Sequence, residues 1–231
     1  MKTFLKKHSQ IWVLLYVFIY FPWFFYLEKT VTSNYTVLHT HLDDRIPFIE
    51  YFIIPYLLWF IYIIATVLFF LFKRPKADFY RLAAYLFGGM SICLLICTIF
   101  PNGLDLRPEL DPDKNIFTKL ISVLYTADTN TNVFPSIHVF ASIGAHTAIS
   151  RTVFSKRFRF VKPTSAVLMV LIILSTMFLK QHSVIDVVGA IVLSFCMYGL
   201  VYFPARDYSA GTAKQKLRTR FSKISKDSTL P

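Results

Sequence analysis

The sequence predicts an all-α membrane protein with six transmembrane helices in one bundle and both termini in the cytoplasm. Composition is the first reason, because 55% of the 231 residues are hydrophobic, 17% are aromatic and only 16% are charged, with a mean hydropathy of +0.52. A water-soluble core of this size could not bury so much apolar surface. The other reasons are six apolar stretches of nearly membrane-spanning length and an uneven distribution of basic residues. Disordered, collagen-like, coiled-coil and secreted disulfide-rich proteins are excluded.

Six stretches approach the roughly 20 apolar residues that a transmembrane helix needs. They are residues 10–27, 48–72, 79–100, 136–154, 161–179 and 183–203. The first follows three lysines, as a secretory signal does, but it ends in bulky aromatic residues without a small-residue cleavage pattern, so it is predicted to be a retained anchor. The fourth is the weakest, because it carries His138, Ser142, His146 and Thr147. These residues predict a polar face turned toward other helices or a wet cavity.

Basic residues distinguish the two sides of the membrane. Of the 25 Lys and Arg residues, 19 precede the first span, lie in the second and fourth connections or follow the last span, and 6 lie in the odd-numbered connections. By the positive-inside rule both termini are cytoplasmic, and the connections near 28–47, 101–135 and 180–182 face outward. One membrane domain, 1–204, is predicted, followed by a basic tail, 205–231. The tail is predicted to rest on anionic lipid headgroups rather than to bind nucleic acid or a protein partner.

Two further sets of residues carry weak signals. The cysteines Cys93, Cys97 and Cys196 lie in apolar stretches and are predicted to pack rather than to form a disulfide or a thiol site. The first outer connection contains His39, His41, Asp43 and Asp44. Their close spacing on a loop is a weak metal signal, and a solvated loop is the favoured interpretation.

The most informative pair is His182 and Asp186, at the start of the sixth span. Residues four apart lie on the same face of a helix. The carboxylate can therefore accept the Nδ1 hydrogen of the imidazole and leave Nε2 free as a base or nucleophile. The alternative is a hydrogen-bonded pair that only fastens two helices together.

Two other polar clusters fall on the same predicted side. In Pro135-Ser136-Ile137-His138, proline and serine favour a helix start, where free N–H groups can bind an anion and His138 can supply a proton. Arg107, which precedes Pro108, adds a planar donor fork suited to phosphate. Together these groups indicate phosphoryl transfer. A zinc site built from two His and one Asp is the alternative, but it leaves Arg107 unexplained, and neither a metal nor a cofactor is predicted.

In these clusters the sequence resembles the type 2 phosphatidic acid phosphatase superfamily, integral-membrane lipid phosphatases and phosphotransferases related to sphingolipid synthases. The family motifs are Lys, six residues, Arg-Pro; Pro-Ser-Gly-His; and Ser-Arg, five residues, His, three residues, Asp. The matching residues are Arg107-Pro108, Pro135-Ser136-Ile137-His138 and Ser175-Thr176 with His182 and Asp186. The resemblance covers about residues 48–203, and the predicted number of six spans also matches the family.

Three motif positions differ from the family. Phe100 replaces the Lys of the first motif, Ile137 the Gly of the second and Thr176 the Arg of the third, so two phosphate-binding cations are missing. Lys180 is the basic residue of the short outer connection at 180–182, and we expect its ammonium to compensate for one of them.

The resemblance implies a metal-independent reaction. It makes His182 the nucleophile that forms a phosphohistidine, oriented by Asp186, and His138 the acid and base. Arg107, Ser136 and Lys180 would bind the phosphate. The implied protein is a lipid phosphatase of the cell membrane, with an extracytoplasmic site, that acts on an isoprenyl diphosphate or a glycerolipid phosphate. The alternatives are a phosphotransferase to a hydroxyl acceptor and a non-catalytic lipid-binding or transport protein.

Overall fold

The protein is a mostly helical bundle, and the computed structural model describes residues 8–203. The three lysines ahead of the first span and the predicted tail, 205–231, lie outside the described residues. Short 3-10 helices at Ser9–Tyr16, Glu50–Phe52 and Lys156–Phe158 lead into the first, third and seventh α-helices. The α-helices are α1 (Val17–Thr30), α2 (His41–Arg45), α3 (Ile53–Lys73), α4 (Lys76–Ile99), α5 (Ile116–Ala127), α6 (Ile137–Ser150), α7 (Val161–Phe178) and α8 (Val184–Phe203).

Five helical segments in the described part of the chain are long and apolar enough to cross a membrane by length and composition. They are Ser9–Thr30, Glu50–Lys73, Lys76–Ile99, Lys156–Phe178 and Val184–Phe203, and they correspond to five of the six predicted spans. The fourth predicted span, 136–154, contains α6, which has only 14 residues. At 1.5 Å per residue it is about 20 Å long, shorter than the roughly 30 Å hydrocarbon layer. The chain is a membrane protein by these helices, and the six-span count stays a prediction.

The core forms where α6 packs among α3, α4, α7 and α8. His146, one of the polar residues of α6, faces protein as predicted, since its Nδ1 lies 3.0 Å from Ser165 Oγ, which lies 2.7 Å from the Tyr62 hydroxyl. The contact between α4 and α6 depends on glycine. A Cβ on Gly144 would lie 2.5 Å from Tyr85 Cε1 and one on Gly89 would lie 1.9 Å from Phe140 Cζ, so both helices need their glycines to approach this closely.

The predicted packing of the cysteines is confirmed for two of the three. Cys93 and Cys97 are buried in α4, and Cys97 Sγ lies 3.3 Å from the Phe134 carbonyl oxygen. Cys196 is an exposed residue of α8. The cysteines of the described residues are free thiols.

The three odd-numbered connections meet at one end of the bundle. Two-residue strands β1 (Thr36–Val37) and β2 (Asn102–Gly103) pair in parallel and join the first connection to the loop after α4. Asn102 is fully buried, and its Oδ1 accepts hydrogen bonds from the backbone N–H groups of Val133 and Phe134 at 2.9 and 2.8 Å. These contacts position the loop that leads into α6, and with it His138.

Candidate active site

His182 and Asp186 form the pair that the sequence predicts. His182 Nδ1 lies 3.3 Å from Asp186 Oδ2, and that oxygen also accepts a hydrogen bond from the Ser183 N–H at 2.9 Å. Both side chains are buried, at 7% and 0% exposure. The tautomer that donates from Nδ1 leaves the Nε2 lone pair available. Asp186 Oδ1 has no hydrogen-bond partner among the described residues.

The turn between α7 and α8 sets the position of His182. Lys180 has a φ of 54°, in the left-handed region that usually favours glycine. The Lys180 N–H donates to the Met177 carbonyl and the Gln181 N–H to the Thr176 carbonyl, which is the Schellman pattern that ends many helices. The His182 N–H also donates to Thr176, at 3.0 Å. The backbone therefore fixes Gln181 and His182 before any side chain contributes.

His138 faces His182 from the first turn of α6. The two ring centroids are 5.7 Å apart. Two aromatic side chains of α3 complete this side of the site, with ring centroids 4.4 Å (Trp59) and 4.8 Å (Tyr56) from that of His138. The Tyr56 hydroxyl donates to Asp128 Oδ2 at 2.9 Å. These α3 contacts restrict the orientation of the His138 ring, and the motifs gave no reason to expect them.

Ser136 lies at the start of α6 as predicted, but its own N–H group is not free. That N–H donates to the Asp186 carbonyl at 3.2 Å, and Ser136 Oγ accepts a hydrogen bond from the Val139 N–H at 3.3 Å as the helix cap. The Ser136 N–H thus has no partner inside α6, but its bond to Asp186 makes it unavailable to an anion. The next two N–H groups, of Ile137 and His138, are first-turn donors without a partner inside the helix.

Arg107 lies beside the His182 turn but uses most of its donors on the protein. Nη1 donates to the Tyr125 carbonyl at 3.2 Å, and Nη2 to the carbonyls of Asp128 and Thr129, both at 2.8 Å. Nη2 also contacts Gln181 Oε1. Burial lowers the pKa of Arg107, yet a guanidinium stays charged at neutral pH. Arg107 thus brings a positive charge to Gln181, the residue before His182, with Nε still unpartnered among residues 8–203.

Gln181 is another residue of this site that the sequence reasoning missed. It is 3% exposed and precedes His182 directly. Its carbonyl oxygen binds Arg107, while Nε2 is buried without a hydrogen-bond partner in the described part of the chain. A buried amide donor without a partner is costly. The available signal was a polar residue adjoining the nucleophile candidate at the end of a span.

Lys180 does not join the phosphate-binding groups as expected. Its Nζ donates to the carbonyl oxygens of Asp43 and Ile46, at 2.7 and 2.6 Å. These are atoms of the first outer connection. The contacts indicate that Lys180 fastens this connection to the α7–α8 turn, and they give its predicted phosphate role no support.

Asp43 corrects the interpretation of the first outer connection as a solvated loop. It is only 2% exposed. Its Oδ2 accepts from the Ser183 hydroxyl at 2.6 Å and its Oδ1 from the Val184 N–H at 2.8 Å, while Thr40 donates from both its N–H and its hydroxyl. Burial raises the pKa of Asp43, but these hydrogen bonds outweigh it and leave the pKa below its ordinary value. Asp43 thus caps α8, which carries Asp186.

The replaced motif residues lie apart from these contacts. Phe100 is 41% exposed at the end of α4. Thr176 is fully buried, and its hydroxyl donates to the Ile173 carbonyl at 2.8 Å. Neither residue supplies a cation or a free donor to the site.

The metal alternatives find little support in the side chains present. Among residues 8–203, no group of three or more His, Cys, Asp and Glu side chains is arranged to hold a metal ion. In the first outer connection, His39 Nε2 lies 2.8 Å from Asp44 Oδ1 at the surface, while Asp43 is occupied with α8. His138, His182 and Asp186 therefore do not make the three-ligand set considered for zinc.

Comparison with known proteins agrees with the geometry. No curated protein and no solved structure matches the chain. A family model described as the PAP2 superfamily matches residues 82–206, just over half of the chain, and this range includes Arg107, His138, His182 and Asp186. The chain therefore belongs to the PAP2 superfamily of type 2 phosphatidic acid phosphatases.

Proposed function

We propose that this chain is a lipid-phosphate phosphatase that works through a phosphohistidine intermediate. Membership of the superfamily indicates a membrane phosphatase or phosphotransferase. The observation that carries the specific proposal is the His182–Asp186 pair with the His138 ring 5.7 Å from that of His182. At this separation two imidazoles can act on opposite sides of one phosphoryl group.

The reaction has two steps. His182 Nε2 attacks phosphorus, and the bond from phosphorus to the leaving lipid oxygen breaks while protonated His138 gives that oxygen its proton. His138 then removes a proton from water, whose oxygen attacks phosphorus and breaks the phosphorus–nitrogen bond. Inorganic phosphate leaves, and both histidines return to their starting states. Asp186 stabilises the positive charge on His182 in the first step.

Phosphate binding is assigned to donors that this chain retains. Arg107 contributes its charge and Nε, Gln181 its Nε2, and the start of α6 contributes the N–H groups of Ile137 and His138. Ser136 can add its hydroxyl hydrogen, because Oγ acts as an acceptor in the capping bond. These groups would stabilise the charge on the phosphoryl oxygens in the transition state.

The role of Lys180 is tested separately, by replacing it with Met. If the ammonium only fastens the first outer connection, Lys180→Met should lower the thermal unfolding midpoint and kcat while leaving the KM for lipid nearly unchanged. A large rise in KM at unchanged stability would restore the phosphate-binding role. Thermal unfolding in detergent and steady-state kinetics on the same preparation separate the two.

The site is proposed to face outward and to receive an isoprenyl diphosphate or a glycerolipid phosphate from the outer leaflet of the cell membrane. The basis is the convergence of the three odd-numbered connections at the His182 end together with the positive-inside distribution. Six spans and two cytoplasmic termini belong to the same proposal.

The deciding experiment is phosphate release in detergent micelles with EDTA present. The substrates are an isoprenyl diphosphate, phosphatidic acid and phosphatidylglycerol phosphate, and His182→Ala is assayed beside the unmodified chain. Release that requires His182 and is unaffected by EDTA supports the proposal. Phosphate release that EDTA abolishes, or that His182→Ala retains, contradicts it.

A phosphotransferase is the second candidate, favoured by Phe100 and Thr176 in place of two cations. Sphingolipid synthases, to which the family is related, share the histidines but not all of these cations. A labelled lipid with a hydroxyl-bearing acceptor distinguishes the two reactions, because a transferase labels the acceptor in preference to water. A non-catalytic lipid carrier would do neither and would also be indifferent to vanadate.

A further inference from the structure

A second basic site lies at the end of the bundle away from His182. A cavity of about 200 Å³ is lined there by Arg74, Asp78, Arg81, Arg151 and Tyr202, with Phe70 as an apolar wall. These residues come from the end of α3, the start of α4, the end of α6 and the end of α8. Since His138 lies in the first turn of α6 and Arg151 follows its last residue, about 20 Å of helix separates this cavity from the candidate active site.

The charges lining this cavity do not balance. Both oxygens of Asp78 are in use, since Arg74 Nη2 donates to Oδ2 at 3.0 Å and Arg81 Nη1 lies 3.5 Å from Oδ1. Arg151 has no carboxylate partner within residues 8–203. It donates to the Tyr198 hydroxyl at 2.8 Å and lies 5.0 Å from the centroid of the Tyr202 ring. Among the described residues that line the cavity there are therefore three guanidiniums and one carboxylate, which leaves two positive charges unneutralised.

Among residues 8–203, donor atoms without a hydrogen-bond partner remain beside this excess charge. Arg74 Nε is buried without a hydrogen-bond partner in the described part of the chain. The donor to Tyr198 is Nη1 of Arg151, and a guanidinium carries four further N–H bonds. The Arg151 guanidinium also makes a cation–π contact with the Tyr202 ring, which restricts its position. Planar, oriented guanidiniums bind phosphate oxygens in pairs.

We propose that this cavity binds the phosphomonoester headgroup of an anionic lipid. A phosphomonoester carries close to two negative charges at neutral pH, which matches the two unneutralised positive charges. The cavity lies at the ends of membrane-spanning helices, where a headgroup is presented, and basic pockets between such helices bind anionic headgroups. The Phe70 wall suits the first carbons of the lipid. Free inorganic phosphate shares the headgroup chemistry, and the test below separates the two sources.

Binding is measured on full-length protein in neutral detergent by native mass spectrometry. His182→Ala is the background throughout, so that turnover cannot deplete the lipid and any lipid at the active site contributes equally to every sample. The probes are dioleoyl phosphatidic acid, dioleoyl phosphatidylcholine and inorganic phosphate. The test variant is Arg81→Gln with Arg151→Gln, and the matched control is Arg157→Gln with Arg159→Gln. The control removes the same charge from exposed residues that do not line the cavity.

The proposal expects the dissociation constant for phosphatidic acid to rise about tenfold or more in the Arg81/Arg151 variant and to stay unchanged in the control. Phosphatidylcholine should bind weakly to all samples. Equally weakened binding of phosphatidic acid in both variants would indicate diffuse attraction to basic residues and would contradict the proposed site. Inorganic phosphate that binds as tightly as phosphatidic acid, with the same dependence on Arg81 and Arg151, would overturn the lipid assignment.

A second measurement uses no substitution in the cavity, so it does not require that a cavity variant folds correctly. Phenylglyoxal modifies accessible arginines, and peptide mass spectrometry locates the modified residues. Phosphatidic acid should protect Arg151 and Arg81 while leaving Arg157 and Arg159 reactive. Equal reactivity of Arg151 with and without the lipid would contradict the proposal.

Discussion

Arg107 and Gln181 contact each other next to His182, and each keeps one buried nitrogen without a partner among residues 8–203. The superfamily motif places cations where this chain has Phe100 and Thr176. In the proposed reaction, the motif residue Arg107 and the buried Gln181 amide would supply the donors to the phosphoryl group. This pairing could not be read from the motifs, because Gln181, which is 74 residues from Arg107, is not a motif position.

Replacing Gln181 with Leu tests whether this amide acts on the phosphoryl group. The variant loses both the amide donor and the acceptor that holds Arg107, so kcat/KM should fall about 10- to 100-fold, as expected for a hydrogen bond to a charged group. The matched control is Gln10→Leu, because Gln10 is also buried and donates to the Leu71 carbonyl. Equal losses of activity in the two variants, after correction for folded protein, would show that Gln181 matters only for stability.

Asp43 is the residue that most changes the interpretation of the sequence. The close spacing of His and Asp residues on this connection was a weak metal signal, and a solvated loop was the favoured interpretation, because local spacing does not reveal a partner 140 residues away. Ser183 links Asp43 to Asp186, the carboxylate paired with His182. The Ser183 hydroxyl donates to Asp43, and the Ser183 N–H donates to Asp186. It is a positioning residue in this arrangement.

Asp43→Asn should destabilise the protein by about 1–3 kcal/mol through the lost cap and charge-assisted hydrogen bonds. It should lower kcat more than it raises KM. Because the pKa of Asp43 is lowered in the folded state, its stabilising effect is fully present above the unfolded pKa of about 3.9 and is lost as pH falls through the folded pKa. The stability difference between the two proteins should therefore shrink in that acidic range. A difference independent of pH, measured by denaturant titration, would contradict this assignment.

Among the elements, the long apolar helices were predictable and the short ones were not. Hydropathy locates α3, α4, α7 and α8 within a few residues, because spans of this length have to be apolar throughout. It does not find α5, whose 12 residues fall below the length of a span. It also makes the fourth span too long. The predicted span includes 151–154, which is apolar only in part, whereas α6 ends at Ser150. The ends of these short helices depend on packing against neighbouring helices.

Gly144 provides a test of the close approach between α4 and α6. A methyl group there would lie 2.5 Å from Tyr85, so Gly144→Ala should cost about 1–3 kcal/mol by overpacking and lower the thermal unfolding midpoint. Gly199→Ala is the matched control, because nothing lies within 4 Å of a Cβ at that position. It should be neutral or slightly stabilising, since alanine favours a helix more than glycine does. Similar midpoints for the two variants would contradict this packing.

For the whole molecule, sequence reasoning predicted which parts meet. The motif residues Arg107, His138 and His182 come from three separate segments, and the structure brings their segments together. What stayed out of reach were the contacts from outside the motifs, such as those of Asp43, Tyr56 and Trp59. A motif predicts the residues of the reaction. The residues that position them depend on tertiary contacts, and many different sequences can make such contacts.

The proposed topology determines the side of the membrane on which each terminus lies. Both termini should lie on one side of the membrane, and the loop near 110–114 on the other. Single tags at these positions, tested for protease access in sealed vesicles of known orientation, should give opposite results for the loop and the termini. Termini on different sides would mean that α6 does not cross, and the number of spans would then be five.

The family match begins at residue 82, but the bonds that hold the site begin much earlier. Glu28, at the end of the first span, binds the Thr129 hydroxyl and the Asn132 amide in the loop that leads to α6. A recombinant fragment trimmed to the matched region would keep every motif residue and lose this anchor. The smallest piece of the gene worth expressing therefore has to include the first span.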